Sequence, residues 1–151
     1  SRRQRQMCIR DRLYVHDVDV NSRLGPDPVL REVLAALPQR KAVFTNGSTC
    51  HASRVLAALG IEDIFEDVYD IRVAAYLPKP WPEPYLAVLE KLGTPPERCI
   101  MIEDSRENLQ TAKNLGMGTI LVGDGQTPDF VDVHLDSAHH VSTGLRFWGQ
   151  A

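Results

Sequence analysis

The sequence predicts an α/β protein built on a doubly wound parallel sheet. Short apolar runs typical of buried strands, such as residues 41–45 and 99–102, alternate with segments whose apolar residues recur at helical spacing. Polar residues follow each of these two strands at once, and a helical pattern comes next. Ligands bind beyond the carboxyl ends of the strands in open α/β sheets, so these polar turns are the first candidates for a functional site.

Composition narrows the class of protein. Of the 151 residues, 43% are hydrophobic and 25% are charged, which is ordinary for a globular domain, and the length suffices for one core. No apolar run approaches the roughly 20 residues of a membrane span. The three cysteines show neither a CxxC motif nor paired spacing, which is typical of a protein from a reducing cytoplasm. We therefore expect a cytoplasmic protein without a membrane partner.

The first twelve residues, SRRQRQMCIRDR, differ from the rest of the chain. Five arginines and one aspartate give them a charge of +4. Because the whole chain carries −3, residues 13–151 carry −7. The globular part is therefore acidic and gives no case for nucleic acid binding. The leader lacks the apolar core of a secretory signal and resembles translated sequencing-adapter sequence, so it is excluded from the fold prediction.

The predicted elements follow one another with clear breaks. Asp27-Pro28 opens a helix that stops at Pro38, Gly60 closes a second one, and Ser105 is the predicted N-cap of another that Gly116 closes. The predicted helices are 29–37, 50–59, 85–92, 106–115 and, at the end of the chain, 138–148. The predicted strands are 41–45, 68–73, 99–102, 118–122 and an edge strand at 131–135. Alternation in residues 13–20 is strand-like at best.

Two of the turns carry groups suited to a phosphate. Thr45, Asn46 and Gly47 offer a hydroxyl and backbone N–H groups just before a helix, where anions are favoured. Lys79 sits among four prolines in residues 77–84, so its positive charge is held on a stiff loop. Taken singly, the first segment is also compatible with a plain capped turn and the second with a solvated lysine.

A third turn carries paired carboxylates. Glu103 and Asp104 follow the strand at 99–102, and oxygen ligands of this kind suit Mg²⁺, which binds one or two protein carboxylates and keeps positions for water and phosphate. A solvated turn is the alternative. Lys79 lies 34 residues after Thr45 and 25 before Asp104, and each of the three sites follows a predicted strand. This combination favours one shared site.

The order FTNGS, LPKPWPEPY and MIEDSRENL resembles motifs two, three and four of the haloacid dehalogenase-like (HAD) phosphohydrolase superfamily. The sequence around the motifs most resembles subfamily IA and its pyrimidine 5′-nucleotidase branch, over residues 14–122. The resemblance implies a Rossmann-like core, a phosphate bound by Thr45 and backed by the Asn46 amide, and a Lys79 that neutralises phosphate and nucleophile. It further implies Mg²⁺ held by Asp104 with help from Glu103. Ser105 and Asn108 would support these ligands.

One departure from the family pattern affects activity. Such enzymes begin with an apolar strand that ends in Asp-x-Asp, whose first aspartate is phosphorylated by the substrate. Here residues 13–20 resemble the exit of the helical cap, so the first central strand and most of the cap are expected to be missing. Asp17 and Asp19, in HDVDV, are expected to be surface or capping acids rather than that motif. The expected organisation is a leader at 1–12, the end of the cap and a connector at 13–28, and a partial core at 29–151.

Two classes of function remain open. The first is a Mg²⁺-dependent phosphohydrolase acting on a small phosphomonoester, a pyrimidine nucleotide by resemblance, with this chain inactive alone. The second is a non-catalytic phosphate- or metal-binding module. A sugar-phosphate phosphatase or mutase of the same superfamily is a further alternative, and the Glu103-Asp104 pair argues against a metal-free dehalogenase. The oligomeric state is not indicated by the sequence.

Overall fold

A computed structural model describes the backbone of residues 13–16 and both backbone and side chains of residues 25–149. The predicted leader at 1–12 and the Asp17-Val18-Asp19 segment lie outside the described residues. In the described part, no helix is both long enough and apolar enough to cross a membrane.

Strands and helices alternate along most of the chain, as expected for a doubly wound fold. The strands are β1 (Leu13–His16), β2 (Lys41–Phe44), β3 (Asp67–Tyr69), β4 (Cys99–Glu103), β5 (Gly118–Val122) and β6 (Val133–Leu135). The α-helices are α1 (Pro28–Ala36), α2 (Thr49–Leu59), α3 (Pro82–Leu92), α4 (Arg106–Asn114) and α5 (Val141–Gly144).

The six strands of the described residues are parallel and form one sheet in the order β3-β2-β1-β4-β5-β6. The order reverses direction at β1, from which the chain proceeds to β2 and β3 on one side and later to β4, β5 and β6 on the other. Such a reversal is the switch point at which α/β sheets bind ligands. The predicted fold class is confirmed.

At the centre of the sheet, where the sequence predicts that the first strand is missing, the described structure has the short strand Leu13–His16. Leu13–His16 fills the centre of the sheet, with Val15 opposite Ala42 on one side and Met101 on the other. Only three apolar residues begin this run, too few to predict a buried strand from the sequence. Two parallel neighbours with unpaired backbone groups nevertheless provide partners for any short β-forming segment. Part of the stretch assigned to the end of the cap therefore lies in the core sheet.

The sheet is covered on both faces, as the unbroken apolar strands predict. On one face, Phe44 and Met101 pack with residues of α3 and α4, including Tyr85 and Leu109. On the other, Ile102 and its neighbours pack with α1, α2 and the end of the chain, in a cluster that includes Leu34, Leu56 and Leu145. The alternation of strand side chains between the two clusters fixes the register of the sheet.

Several element boundaries differ from the sequence prediction. β3 stops at Tyr69, and the chain then turns through a 3₁₀ helix at Ile71–Ala74 instead of continuing as a strand. α3 begins at Pro82 rather than at residue 85, because prolines in the first turn lose no intrahelical hydrogen bond. The predicted terminal helix is divided into 3₁₀ turns at Ala138–His140 and Leu145–Trp148 around the short α5.

Candidate active site

The structure brings Lys79 to the carboxyl end of β2, next to the last residue of β4. The Lys79 Nζ donates to the Phe44 carbonyl at 2.8 Å and lies 3.4 Å from Glu103 Oε2. The side chains of Lys79 and Glu103 are 0% and 1% exposed, so this ion pair is shielded from water. The ammonium also lies 4.6 Å from the centroid of the Phe44 ring. Residues of the second, third and fourth motifs thus meet around Lys79.

Asn46 holds the Lys79 loop in place. Its Oδ1 accepts from the Lys79 N–H at 2.9 Å, and its Nδ2 donates to the Lys79 carbonyl at 3.3 Å. Thr111 on α4 fixes the next residue by donating its hydroxyl to the Pro80 carbonyl at 2.6 Å. The sequence predicts that Asn46 backs the phosphate through its amide, whereas the structure uses both polar ends of that amide to position Lys79.

Thr45 is buried directly after β2. Its N–H donates to the Tyr69 carbonyl at 2.9 Å, which extends the pairing of β2 with β3 by one residue. Its Oγ1 accepts from the Gly47 N–H at 3.0 Å. The Thr45 hydroxyl is the acceptor in this bond, so its own proton is not used in it. The Gly47 N–H, predicted to face a phosphate, instead fixes the Thr45 side chain.

Ser105 and Asn108 both contact Glu103. Glu103 Oε1 accepts from Asn108 Nδ2 at 3.2 Å and from the Ser105 N–H at 3.4 Å, and Ser105 Oγ caps α4 by accepting from the Asn108 N–H at 3.3 Å. The Tyr85 hydroxyl donates to the Asn108 carbonyl at 2.7 Å. Both oxygens of Glu103 thus have protein partners, which hold the carboxylate toward Lys79.

Asp104 differs from Glu103 in being exposed, at the point where β4 ends. A hard carboxylate at this edge suits Mg²⁺, but Glu103 is engaged by Lys79 and its neighbours, in contrast to its predicted role as a second ligand. Within residues 13–16 and 25–149, no group of three or more His, Cys, Asp and Glu side chains could hold a metal ion. Asp104 is therefore the accessible acid of the pair.

Asp70 is a polar residue of this edge that the sequence prediction missed. It follows β3 and is buried, and its Oδ2 accepts from the Thr49 hydroxyl at 2.8 Å and from the Thr49 N–H at 3.2 Å. Arg72 lies 2.9 Å from the same oxygen. The Arg72 side chain and the hydrogen bonds from Thr49 hold the pKa of Asp70 well below its usual value. Residues 68–73 are predicted as one strand, so the turn at Asp70 is not predicted. The signal that could have identified it is an acidic residue at the end of a strand.

A pH dependence follows from Asp70. Because its pKa is lower in the folded than in the unfolded chain, its ionised form stabilises the fold above the unfolded pKa of 3.8, and this contribution is lost as the pH falls below that value. We expect Asp70→Asn to lower the free energy of unfolding at about pH 7, with a difference from the wild type that shrinks below about pH 4. Urea unfolding at several pH values measures it, with the exposed Asp129→Asn as control. A difference that does not change with pH would contradict the assignment.

This parallel α/β core, with a lysine and an acid buried together at its carboxyl edge, defines the class of protein as a hydrolase core of the HAD type. The model of haloacid dehalogenase-like hydrolases matches residues 5–116. The chain belongs to the haloacid dehalogenase-like hydrolase family. The predicted superfamily is confirmed at this level.

Individual relatives support the same assignment. The chain is 34% identical over 116 residues to a phosphoglycolate phosphatase of Pectobacterium atrosepticum, a match that covers 73% of this chain and 47% of that protein. It is 30% identical over 102 residues to an (S)-2-haloacid dehalogenase of Xanthobacter autotrophicus, covering 67% and 40%. A crystal structure of a predicted phosphoglycolate phosphatase from Haemophilus somnus superposes with a TM-score of 0.64 at 25% identity, covering 81% and 58%. The chain spans about half the length of the curated relatives it matches.

Proposed function

We propose that this chain carries the phosphate- and Mg²⁺-binding residues of a phosphohydrolase that acts on small phosphomonoesters. The observation that carries the proposal is the buried Lys79, which contacts Glu103 at the end of β4 and is held by Asn46 after β2. A buried lysine at the carboxyl edge of a parallel sheet, beside a hydroxyl-bearing turn, is suited to stabilising the charge of a phosphoryl group.

Each residue has a separate task in this proposal. Thr45 donates its hydroxyl proton to a phosphoryl oxygen, and Gly47 keeps that hydroxyl oriented. Lys79 stabilises negative charge on the phosphoryl group, while Glu103 and Asn46 fix its position. Asp104 would hold Mg²⁺, which when bound supplies further positive charge to the phosphate. Ser105 and Asn108 orient Glu103.

The nucleophile is the part of the mechanism that the described residues leave open. The family resemblance implies an aspartate just after the central strand, and the central strand here is β1, after which the next residue in sequence is Asp17. Asp17 and Asp19 lie outside the described residues. The sequence of residues 13–20 resembles a cap exit, and this resemblance, not the position of β1, argues against a nucleophilic role for Asp17. We therefore infer that this chain alone does not hydrolyse phosphate esters.

The substrate class rests on resemblance and on relatives. The sequence around the motifs favours a pyrimidine 5′-nucleotide, and the phosphoglycolate phosphatase relative favours a small phosphorylated acid or sugar. The (S)-2-haloacid dehalogenase relative suggests dehalogenation as a second reaction. The acidic pair at the end of β4 argues against it. Cys50 and Cys99 are free thiols, which supports the proposed cytoplasmic location.

An assay of the purified chain tests the proposal. The substrates are an aryl phosphate, a pyrimidine nucleoside monophosphate, phosphoglycolate, a hexose phosphate and 2-chloropropionate, each with and without Mg²⁺. We expect no turnover by the chain alone and phosphatase turnover by a longer form with a cap and an upstream Asp-x-Asp strand, which would take the central place of Leu13–His16. Turnover by the chain that Asp17→Asn abolishes would instead identify Asp17 as the nucleophile. Release of chloride without phosphatase activity would contradict the proposed function.

Magnesium binding provides a test that does not depend on turnover. With Asp104 as the only accessible acid of the pair, we expect weak binding of Mg²⁺ to the chain, because the ion would keep most of its water ligands. Binding should tighten when inorganic phosphate is present, since phosphate oxygens are preferred Mg²⁺ ligands. Calorimetric titration measures this, with Asp104→Asn expected to remove binding and the exposed Asp129→Asn to retain it. Tight binding that survives Asp104→Asn would contradict the assignment.

A further inference from the structure

We propose that Asp70 is a positioning residue for the phosphate loop, defined as residues 45–49. This inference rests on the proposed function and adds a residue from the neighbouring strand to that site. Asp70 does not contact the proposed phosphate. It acts through Thr49, at the end of the loop where α2 begins.

The carboxylate of Asp70 binds the end of the phosphate loop at two points. Its Oδ2 accepts from the backbone N–H of Thr49 at 3.2 Å and from the Thr49 hydroxyl at 2.8 Å. Because Asp70 is only 6% exposed, water competes little for these bonds. The first turn of α2 is therefore fixed to the turn that follows β3.

Two backbone hydrogen bonds fix the rest of the loop to the same segment. The Thr45 N–H donates to the Tyr69 carbonyl at 2.9 Å, and the Ile71 N–H donates to the Gly47 carbonyl at 3.2 Å. Together with the bonds to Thr49, they connect the start, middle and end of the phosphate loop to residues 69–71. Such a loop loses little conformational freedom when a ligand binds, which is the physical basis of preorganisation.

The charge of Asp70 is compatible with a nearby anion site because Arg72 compensates it. Arg72 donates from Nε to Oδ2 at 3.0 Å and to Oδ1 at 3.3 Å, and its backbone N–H donates to Oδ1 at 2.9 Å. Both carboxylate oxygens thus have charged or polar partners. Asp70 can therefore hold the loop as an ionised acceptor without placing an uncompensated negative charge beside a phosphate.

The arrangement also decides which loop hydrogens remain for a ligand. The N–H groups of Gly47 and Thr49 point to Thr45 Oγ1 and Asp70 respectively. The hydroxyl hydrogen of Thr45 is then one donor that the loop presents from a fixed side chain, and that of Ser48, whose Oγ accepts from the His51 N–H, is another. If the Asp70 contact is lost, the loop becomes free to reorient, and part of the binding free energy of the anion is spent in ordering it again.

Titration of the full chain with inorganic phosphate, followed by NMR at the amides of Gly47 and Lys79, tests the inference. We expect Asp70→Asn to weaken phosphate binding about fivefold to tenfold, through the cost of ordering a loosened loop. Thr49→Val should weaken it as well, whereas Thr49→Ser, which keeps the hydroxyl, should retain wild-type affinity. The matched control is Asp27→Ala. Asp27 caps α1 by accepting from the Leu30 N–H and pairs with His139, so its loss should lower stability without changing phosphate affinity.

The outcomes separate this inference from the proposed function. Phosphate binding that Thr45→Val removes but that Asp70→Asn and Thr49→Val leave unchanged would overturn the role of Asp70 and keep the proposed site. Equal weakening by Asp70→Asn and Asp27→Ala would show a general stability effect and would also overturn it. A wild-type chain that binds no phosphate would overturn both. If Asp70→Asn does not fold, the comparison of Thr49→Val with Thr49→Ser decides the question.

Discussion

Lys79→Met is expected to lower the free energy of unfolding of this chain by about 3–5 kcal/mol, because it takes the Lys79 ammonium away from a buried carboxylate. Glu103 is 1% exposed, so water replaces the lysine poorly, and the hydrogen bonds from Asn108 and Ser105 carry no formal charge. The length and volume of methionine are close to those of the lysine stem, so the packing against Phe44 is largely kept. Urea unfolding measures the effect.

The Lys79–Glu103 pair can be separated from general packing effects by a double-mutant cycle. Glu103→Gln should also destabilise the chain, while the double variant Lys79→Met, Glu103→Gln should lose less than the sum of the single changes. Lys91→Met, on the exposed surface of α3, is the matched control and should change stability by no more than about 0.5 kcal/mol. Additive effects of the two single variants would mean that the pair does not stabilise the fold.

Thr45→Val should lower phosphatase turnover of the longer, active form by about 10²–10³-fold, the usual cost of removing one donor to a developing charge. Valine has nearly the shape of threonine, so the buried side chain keeps its packing while the hydroxyl that Gly47 orients is lost. Steady-state kinetics should show the loss mainly in kcat, because the hydroxyl is proposed to bind more strongly to the transition state than to the substrate.

A matched control distinguishes this effect from loss of a threonine hydroxyl in general. Thr143 is exposed on α5, and Thr143→Val should leave kcat and KM unchanged. A Thr45→Val variant with wild-type kcat would remove Thr45 from the proposed mechanism and would leave Lys79 as the main phosphate contact.

Local sequence signals predicted most of the fold. The apolar runs of β2, β4 and β5 are found where expected, because their composition is typical of strands covered on both faces. The predicted caps Asp27 and Ser105 each accept a hydrogen bond from the first turn of a helix, and Gly60 ends α2 in the left-handed conformation. In each case the residues that determine the element are neighbours in the chain.

The features that the sequence could not supply depend on distant residues. Whether Leu13–His16 lies in the sheet is decided by the open edges of β2 and β4, not by its own short apolar run. Whether Glu103 faces a metal or a lysine depends on the loop that brings Lys79 to it. The role of Asp70 likewise arises from a contact with Thr49, 21 residues earlier in the chain. Sequence patterns thus located the candidate site without defining its hydrogen bonds.

A crystal structure of the chain with a bound tetrahedral oxyanion, tungstate, and Mg²⁺ tests the central claim most directly. The account predicts anomalous density for the oxyanion at the carboxyl end of β2, within about 3.2 Å of both Thr45 Oγ1 and Lys79 Nζ. Asp104 should be the carboxylate nearest to any metal ion. Oxyanion density beside Arg72 and Lys91 instead, with none near Thr45 and Lys79, would contradict the claim that the three motifs form one phosphate site.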